Sequence, residues 1–423
     1  MIDIKDLRER PEYYRESTAA KNGDPSLIET VLQLDEERRA LIFARDELKA
    51  KQNLLTKQIP SASAEDRGRL VAESKALGDQ VKEADAKSAE IEAAYFSAVH
   101  QIPNPLHPSV PKGASDEENI VARVVGEKPN FPFPVKEHWE LGEDMDLIDM
   151  ERGAKVSGSR FVYLKNDLVM LEFALISFCL QKLYAKGFTP MIPPYMVRER
   201  AMYGTGYFPD AENGVYHVNP GEDDLFLIGT SEVSLVNYYD NEVIDVSKPQ
   251  RFVGYSPCFR REAGSYGKDV KGILRVHQFE KVEMVSFCHP DQSWEEHEFL
   301  RTVEEEILSD LGLPYQVLNI CSGDLGGSAA KKYDLEAWLP GQEKYREMTS
   351  TSNTTDYQSR RLNIRFRDEE GNMQYVHILN GTATSMRPLI AIMENYQQED
   401  GTILVPEVLR PYMGKDRITK TTA

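Results

Sequence analysis

The run PCFRREAGSYGKDVKGILRVHQFEKVEMVSF, residues 257–287, decides the fold. Two segments in which apolar and polar residues alternate flank Ala263 to Gly272, where glycine and charge concentrate. This is the pattern of a long β-hairpin. Residues two apart share a strand face, so Arg260 and Glu262 are expected to point one way on the first strand. By the same rule Arg275, Phe279 and Glu283 line up on the second. Two guanidinium groups, a ring and two carboxylates on one face suit a nucleotide: arginines for phosphate oxygens, a ring for base stacking, a carboxylate for an amino group. For an arbitrary hairpin, an exposed face carrying cross-strand ion pairs is the commoner meaning of this pattern.

Outward from the hairpin, apolar runs with period two recur at 225–229, 361–367 and 375–380, with helices near 167–186 and 293–311. Strands follow one another directly and helices are few, so the class is α+β, with a mostly antiparallel β-sheet flanked by helices. The helix near 167–186 is apolar at Leu168, Leu171, Leu175, Phe178 and Leu183 and needs cover on more than one side.

The N-terminal quarter reads differently. Leucine recurs at 27, 34, 41, 48 and 55, and after the break Ile59 to Ser63 a second stripe follows at Leu70, Leu77, Ala84, Ile91 and Ala98. The spacing predicts two helices in an antiparallel coiled-coil hairpin over about 27–100, the first roughly 50 Å long. A leucine stripe fits equally a coiled coil that joins two chains. Between 38 and 57, however, Arg38, Arg39, Arg45, Lys49, Lys51 and Lys57 face only Asp46 and Glu47, a local positive charge suited to a nucleic-acid backbone. Residues 101–118 are proline-rich and polar and read as a linker, which gives two domains, 1–110 and 111–423.

Of 423 residues, 41% are apolar and 28% charged, and 50 basic against 69 acidic side chains leave −19. General disorder and a basic nucleic-acid coat are thereby excluded. Four distant cysteines (Cys179, Cys258, Cys288, Cys321) lack the spacing of a zinc site or disulfide framework, so no zinc is expected and a cytoplasmic location fits. The start is charged, and the most apolar stretch, 168–184, is interrupted by Glu172 and Lys182, so neither secretion nor a membrane partner is expected. Neither glycine-rich phosphate-loop fingerprint occurs; a nucleotide would be held by side chains.

The run Phe259-Arg260-Arg261-Glu262 with Arg275, Phe279 and Glu283 resembles motif 2 of the class II aminoacyl-tRNA synthetases. Lys186-Gly187-Phe188 with Met191, Pro194, Tyr195 and Met196 resembles motif 1, and Arg387 in TSMRPLIAIMEN resembles the motif 3 arginine. Within the class, GTSEV at 229–233, EMTSTSNTTDYQSRRLNIRFR at 347–367 and NYQQEDGTILVPEVLRPYMG at 395–414 are similar to seryl-tRNA synthetases of the bacterial type. The family's third motif is usually richer in glycine than Asn380 to Met386 here.

The resemblance implies an ATP-dependent ligase that forms seryl adenylate and passes serine to tRNA(Ser), and to tRNA(Sec). It implies catalytic and ATP-binding roles for Arg260, Arg275 and Arg387, with Glu262 and Phe279 on the adenine. Glu347 and Ser350 would hold Mg2+ beside the ATP. Thr230, Glu232, Arg260, Glu283, Asn380 and Thr382 would bind serine. The tRNA would meet Arg38, Arg39, Arg45, Lys49 and Lys51 on the arm, and Lys268 and Lys271 near the active site. A homodimer through motif 1 follows from the same source, and His277 takes a supporting role. Synthetases for threonine, proline or histidine are rivals, but they append an anticodon-binding domain, and the residues after Arg387 are too few for one. An armless relative that loads carrier proteins and a nonenzymatic tRNA-binding scaffold are the others.

Overall fold

The computed structural model describes residues 1–209, 214–262, 269 and 271–420. They form two compact units, 1–105 and 106–423.

In the first unit, helix α1 (Leu27–Gln58) and helix α2 (Ala64–Val99) are joined by a short 3-10 turn at Ile59–Ser61. Ser63 caps α2, its Oγ accepting from the Asp66 N–H at 3.1 Å. Arg38 meets Glu92, Lys49 meets Asp85 and Thr56 meets Ser74, so the helices run antiparallel. The leucine stripe is half the seam. The other half is Val31, Arg38, Arg45 and Gln52 on α1 against Val81, Ser88 and Tyr95 on α2, so its middle is polar. Arg38 lies 5.3 Å from the Tyr95 ring centroid. At the base, Asp35 is fully buried and holds Arg8 in a two-pronged pair at 2.7 and 2.9 Å, with Arg39 at 3.0 Å.

The second unit is built on a sheet of strands β1 (Ile120–Val125), β2 (Thr189–Met191), β3 (Gln250–Phe259), β4 (Gln278–Cys288), β5 (Tyr315–Asn319), β6 (Lys331–Leu339), β7 (Lys344–Asn353) and β8 (His377–Ser385). Their spatial order is β1-β5-β6-β7-β8-β4-β3-β2, and every pair is antiparallel except β2 with β3. The helices used below are α3 (His138–Asp144), α4 (Asp167–Ala185), α5 (Glu232–Val236), α6 (Ser293–Asp310), α7 (Tyr357–Leu362) and α8 (Arg387–Asn395). One apolar cluster joins Leu171 and Cys179 of α4, Leu300 and Ile307 of α6, Leu389 and Ile392 of α8, and Val282 and Met284 of β4. Helix α4 is long and apolar enough to cross a membrane by length and composition. One of its faces is buried in this cluster, while Met170, Phe173 and Tyr184 are exposed.

Three expectations are corrected. The hairpin strands are shorter than read: β3 ends at Phe259 and β4 begins at Gln278, so Arg260, Glu262 and Arg275 belong to the connection. The Arg261 N–H turns away to the Gly214 carbonyl at 3.0 Å, and Glu262 takes φ +48°, which ends the extended chain. The run at 225–229 contributes Leu225–Leu227 to a separate small sheet, and the run at 361–367 divides between the end of α7 and a strand Arg365–Arg367.

Between α4 and β2 the chain reverses at Gly187, φ +88°, with open space where a Cβ would stand. A side chain there meets conformational strain only. Gly187→Ala is expected to cost about 1 kcal/mol, whereas Leu171→Ala, in the fully buried core, should cost about 2–5 kcal/mol. Urea unfolding of both variants reads the difference.

Candidate functional site

A cavity of about 490 Å3 is lined by Thr230, Glu232, Arg260, Glu262, Arg275, Phe279, Glu283, Glu347, Ser350, Asn380, Thr382 and Arg387. These residues come from six separate places in the chain.

At one end two carboxylates share the space. Glu283 and Thr382 are direct cross-strand partners on β4 and β8, and the threonine hydroxyl donates to Glu283 Oε2 at 3.0 Å. Lys281, two residues back on the same face of β4, reaches that oxygen at 2.7 Å. Glu232 Oε1 accepts from Gln358 Nε2 at 2.8 Å and Asn380 Nδ2 at 3.0 Å. Lost solvation, and then the charge of Glu283, push the Glu232 carboxyl up to about 7. Thr230 and Glu232 do not share a strand face: the segment turns into α5, and the Glu232 N–H donates to Thr230 Oγ1 at 3.2 Å. Helix α5 comes close to the sheet because Gly254 of β3 has no side chain; a Cβ there would stand 2.9 Å from Leu235 Cδ1.

The other end is cationic. Arg260 donates to the Gly229 carbonyl at 3.2 Å, its guanidinium carbon 5.3 Å from the Phe279 ring centroid. Arg275 pairs with Asp269 at 3.1 Å and Glu262 at 3.4 Å, and Asp269 also takes Arg346 at 2.6 Å. Arg387, the first residue of α8, reaches the Glu347 carboxylate at 3.0 Å and its carbonyl at 3.2 Å. Burial opposes the Glu347 charge, but Arg387, Lys332 and Arg260 together hold its carboxyl well below the usual range. Glu347 and Ser350 are three apart, a spacing that a regular strand sends to opposite faces. The β6–β7 register skips Met348, with Leu335 opposite Thr349 and Glu336 opposite Glu347, and this bulge brings both residues to the cavity. A second space of about 630 Å3 continues past Arg275, Glu347 and Arg387 to Lys332, Asp334 and Arg346. Among the described residues no group of three or more His, Cys, Asp and Glu forms a metal cluster.

Sequence reasoning missed Lys281, Gln358, Lys332, Asp269 and Arg346. Lys281 was legible, since it lies two residues from Glu283 on a strand. Gln358 stands on α7 and Lys332 on β6, with no local signal linking either to the site.

The candidate nucleic-acid contacts lie elsewhere. In the first unit Arg38 pairs with Glu92 at 3.3 Å, Arg39 with Asp35 at 3.0 Å, Arg45 with Asp46 at 2.8 Å and Lys49 with Asp85 at 3.1 Å; Lys51 is exposed. In the second, Lys271 stands 3.9 Å over the Trp139 ring. Lys268 lies outside the described residues.

Known proteins are similar to this chain in sequence and fold. The family described as seryl-tRNA synthetase N-terminal domain matches residues 1–106, and the tRNA synthetase class II core domain (G, H, P, S and T) matches 216–396. Serine–tRNA ligases of Rhodococcus jostii and Thermobifida fusca are each 47% identical over 98% of this chain, covering 99% and 98% of their own lengths. The crystal structure of seryl-tRNA synthetase from Pyrococcus horikoshii complexed with ATP is 41% identical, with TM-score 0.93 over 100% of both chains. That of cytoplasmic serine–tRNA ligase from Naegleria fowleri with AMP is 33% identical, with TM-score 0.88 over 100% of this chain and 99% of that one. With agreement running through both units and the whole length, this chain belongs to the seryl-tRNA synthetase family of the class II aminoacyl-tRNA synthetases.

Proposed function

We propose that the chain activates L-serine with ATP, releasing pyrophosphate, and transfers serine from the adenylate to the 3′ end of tRNA(Ser), with tRNA(Sec) a second acceptor by resemblance. The observation that carries this reading is the union in one cavity of two carboxylates, Asn380 and Thr382 with three arginines. In the first step a serine carboxylate oxygen attacks the α-phosphorus and the bond to the β-phosphate oxygen breaks. The nucleophile is already ionised, so no base is required; position and phosphate electrostatics lower the barrier. Arg260, half-buried at the cationic end, meets both the carboxylate and the α-phosphate. Phe279 stacks on adenine and Glu262 accepts from its amino group. Arg275 and Arg387 exchange Asp269 and Glu347 for phosphate oxygens, the planar fork matching them.

Magnesium fits the residues present: the Glu347 carboxylate, kept ionised by its cationic neighbours, and the Ser350 hydroxyl are hard oxygen donors. Bound there, the ion would neutralise phosphate charge.

The serine ammonium meets Thr230, Glu232 and Glu283, and the hydroxyl meets Glu283, Asn380 and Thr382. Alanine brings no hydroxyl to join this polar network and so forgoes the bonds that serine gains, and threonine is too large. The domains divide the labour: 1–110 grips tRNA through the arm and 111–423 carries the chemistry. Arg45 and Lys49, paired at the surface of the hairpin, exchange carboxylate for phosphate at small cost, since exposed pairs are worth about 0–1 kcal/mol. The exposed Met170 and Phe173 of α4 support a homodimer through this helix. Four free, buried cysteines support a cytoplasmic setting.

Pyrophosphate exchange with each amino acid in turn tests the assignment: serine alone should support exchange, and exchange with another amino acid at equal efficiency overturns it. Deleting residues 27–100 is expected to spare exchange and sharply weaken tRNA charging; normal charging by that variant refutes the arm's role. A carboxyl raised to about 7 is neutral below that pH and ionised above it. Since the ammonium needs the anion, the serine KM should fall as pH rises through neutrality, and Glu232→Gln should flatten the profile.

A further inference from the structure

The connection that carries Arg275 is held by a residue far from it in sequence. His138, the first residue of α3, is buried, and its Nε2 accepts from the Ile273 N–H at 3.2 Å. A backbone N–H only donates, so the ring proton sits on Nδ1, which donates to Glu394 Oε1 at 3.1 Å. The same oxygen takes the His138 N–H at 3.0 Å, and Glu394 Oε2 takes the Gly341 N–H at 2.9 Å, so the buried carboxylate is tied on three sides. Glu394 lies in the last turn of α8, whose first residue is Arg387. Ile273 lies two residues before Arg275.

Gly272 leaves room for this contact. Its φ is +78°, and a Cβ would stand 2.0 Å from His138 Nε2. Beside it, Lys271 rests on the ring of Trp139, the second residue of α3. The start of α3 therefore grips three successive residues of the connection.

We propose that His138 is a positioning residue: through Glu394 and Ile273 it fixes Arg275 against Arg387, so that the two guanidinium groups meet one triphosphate together. The proposal rests on the reading that both arginines hold ATP phosphates. His138 touches no substrate; it sets where Arg275 stands by supplying the acceptor for the Ile273 N–H.

The full-length chain tests it through ATP and serine KM values in pyrophosphate exchange. In His138→Asn the short amide can still donate toward Glu394 but does not reach Ile273; in His138→Gln the longer amide oxygen replaces the Nε2 acceptor. The expected result is an ATP KM raised about tenfold in His138→Asn with serine KM within about twofold, and an ATP KM near the unmodified value in His138→Gln. Equal changes in both KM values, equal behaviour of the two variants, or a lowered melting temperature with both KM values unchanged would each overturn the proposal and leave His138 a core residue. Should His138→Asn fail to fold, Glu394→Gln is read for the same split, with equal ATP and serine changes counting against. Arg275→Ala is measured alongside. If it leaves ATP KM unchanged, the phosphate role falls and the proposal with it; if it raises ATP KM while His138→Asn does not, the positioning link alone fails.

Discussion

Two carboxylates, Glu232 and Glu283, share one cavity largely withdrawn from water, and much of the second unit is arranged to make that tolerable. Like charges in such a setting raise each other's cost, so each carboxylate needs donors. Glu283 takes Lys281 from its own strand and Thr382 from the next; Glu232 takes Asn380 from β8 and Gln358 from α7. Four elements must dock before the pair has these donors. The central place of β4, flanked by β3 and β8, follows from this need as much as from its apolar side, where Val282 and Met284 enter the core.

The phosphate end solves the opposite problem. Arg275 and Arg387 would repel each other and the nearby Arg346 and Lys332 if left bare. Asp269 sits between Arg275 and Arg346, and Glu347 lies against Arg387. On the proposed reading, these anions occupy the cations until a triphosphate replaces them. Binding would then be an exchange of partners, which keeps the guanidinium groups oriented and lowers the reorganisation left for the chemical step.

The first unit applies the same economy of charge. Its seam is not uniformly apolar: Arg38 and Arg45 occupy positions that a uniform coiled coil gives to leucine, and Asp35 is buried at the base with Arg8 and Arg39 upon it. A polar seam fixes register at some cost in stability, and here it also keeps cations along the hairpin surface.

The sequence by itself determined the helical hairpin, the antiparallel β3–β4 pair, and the residue types of the cavity, because those signals are local. Heptad spacing, alternation with period two, and the order of Arg260, Phe279 and Glu283 can each be read within one segment. Only the tertiary structure decided that β3 and β4 stop short of Arg260 and Arg275, that Thr230 and Glu232 meet at a helix start, that Gln358 bonds Glu232, that Lys332 lines the cavity, and that His138 accepts from the Ile273 N–H. The bulge at Met348 makes the reason plain. Glu347 and Ser350 share a side only because β6 pairs with β7 one residue out of step, and hydrogen-bond register between distant strands is not written in either strand alone.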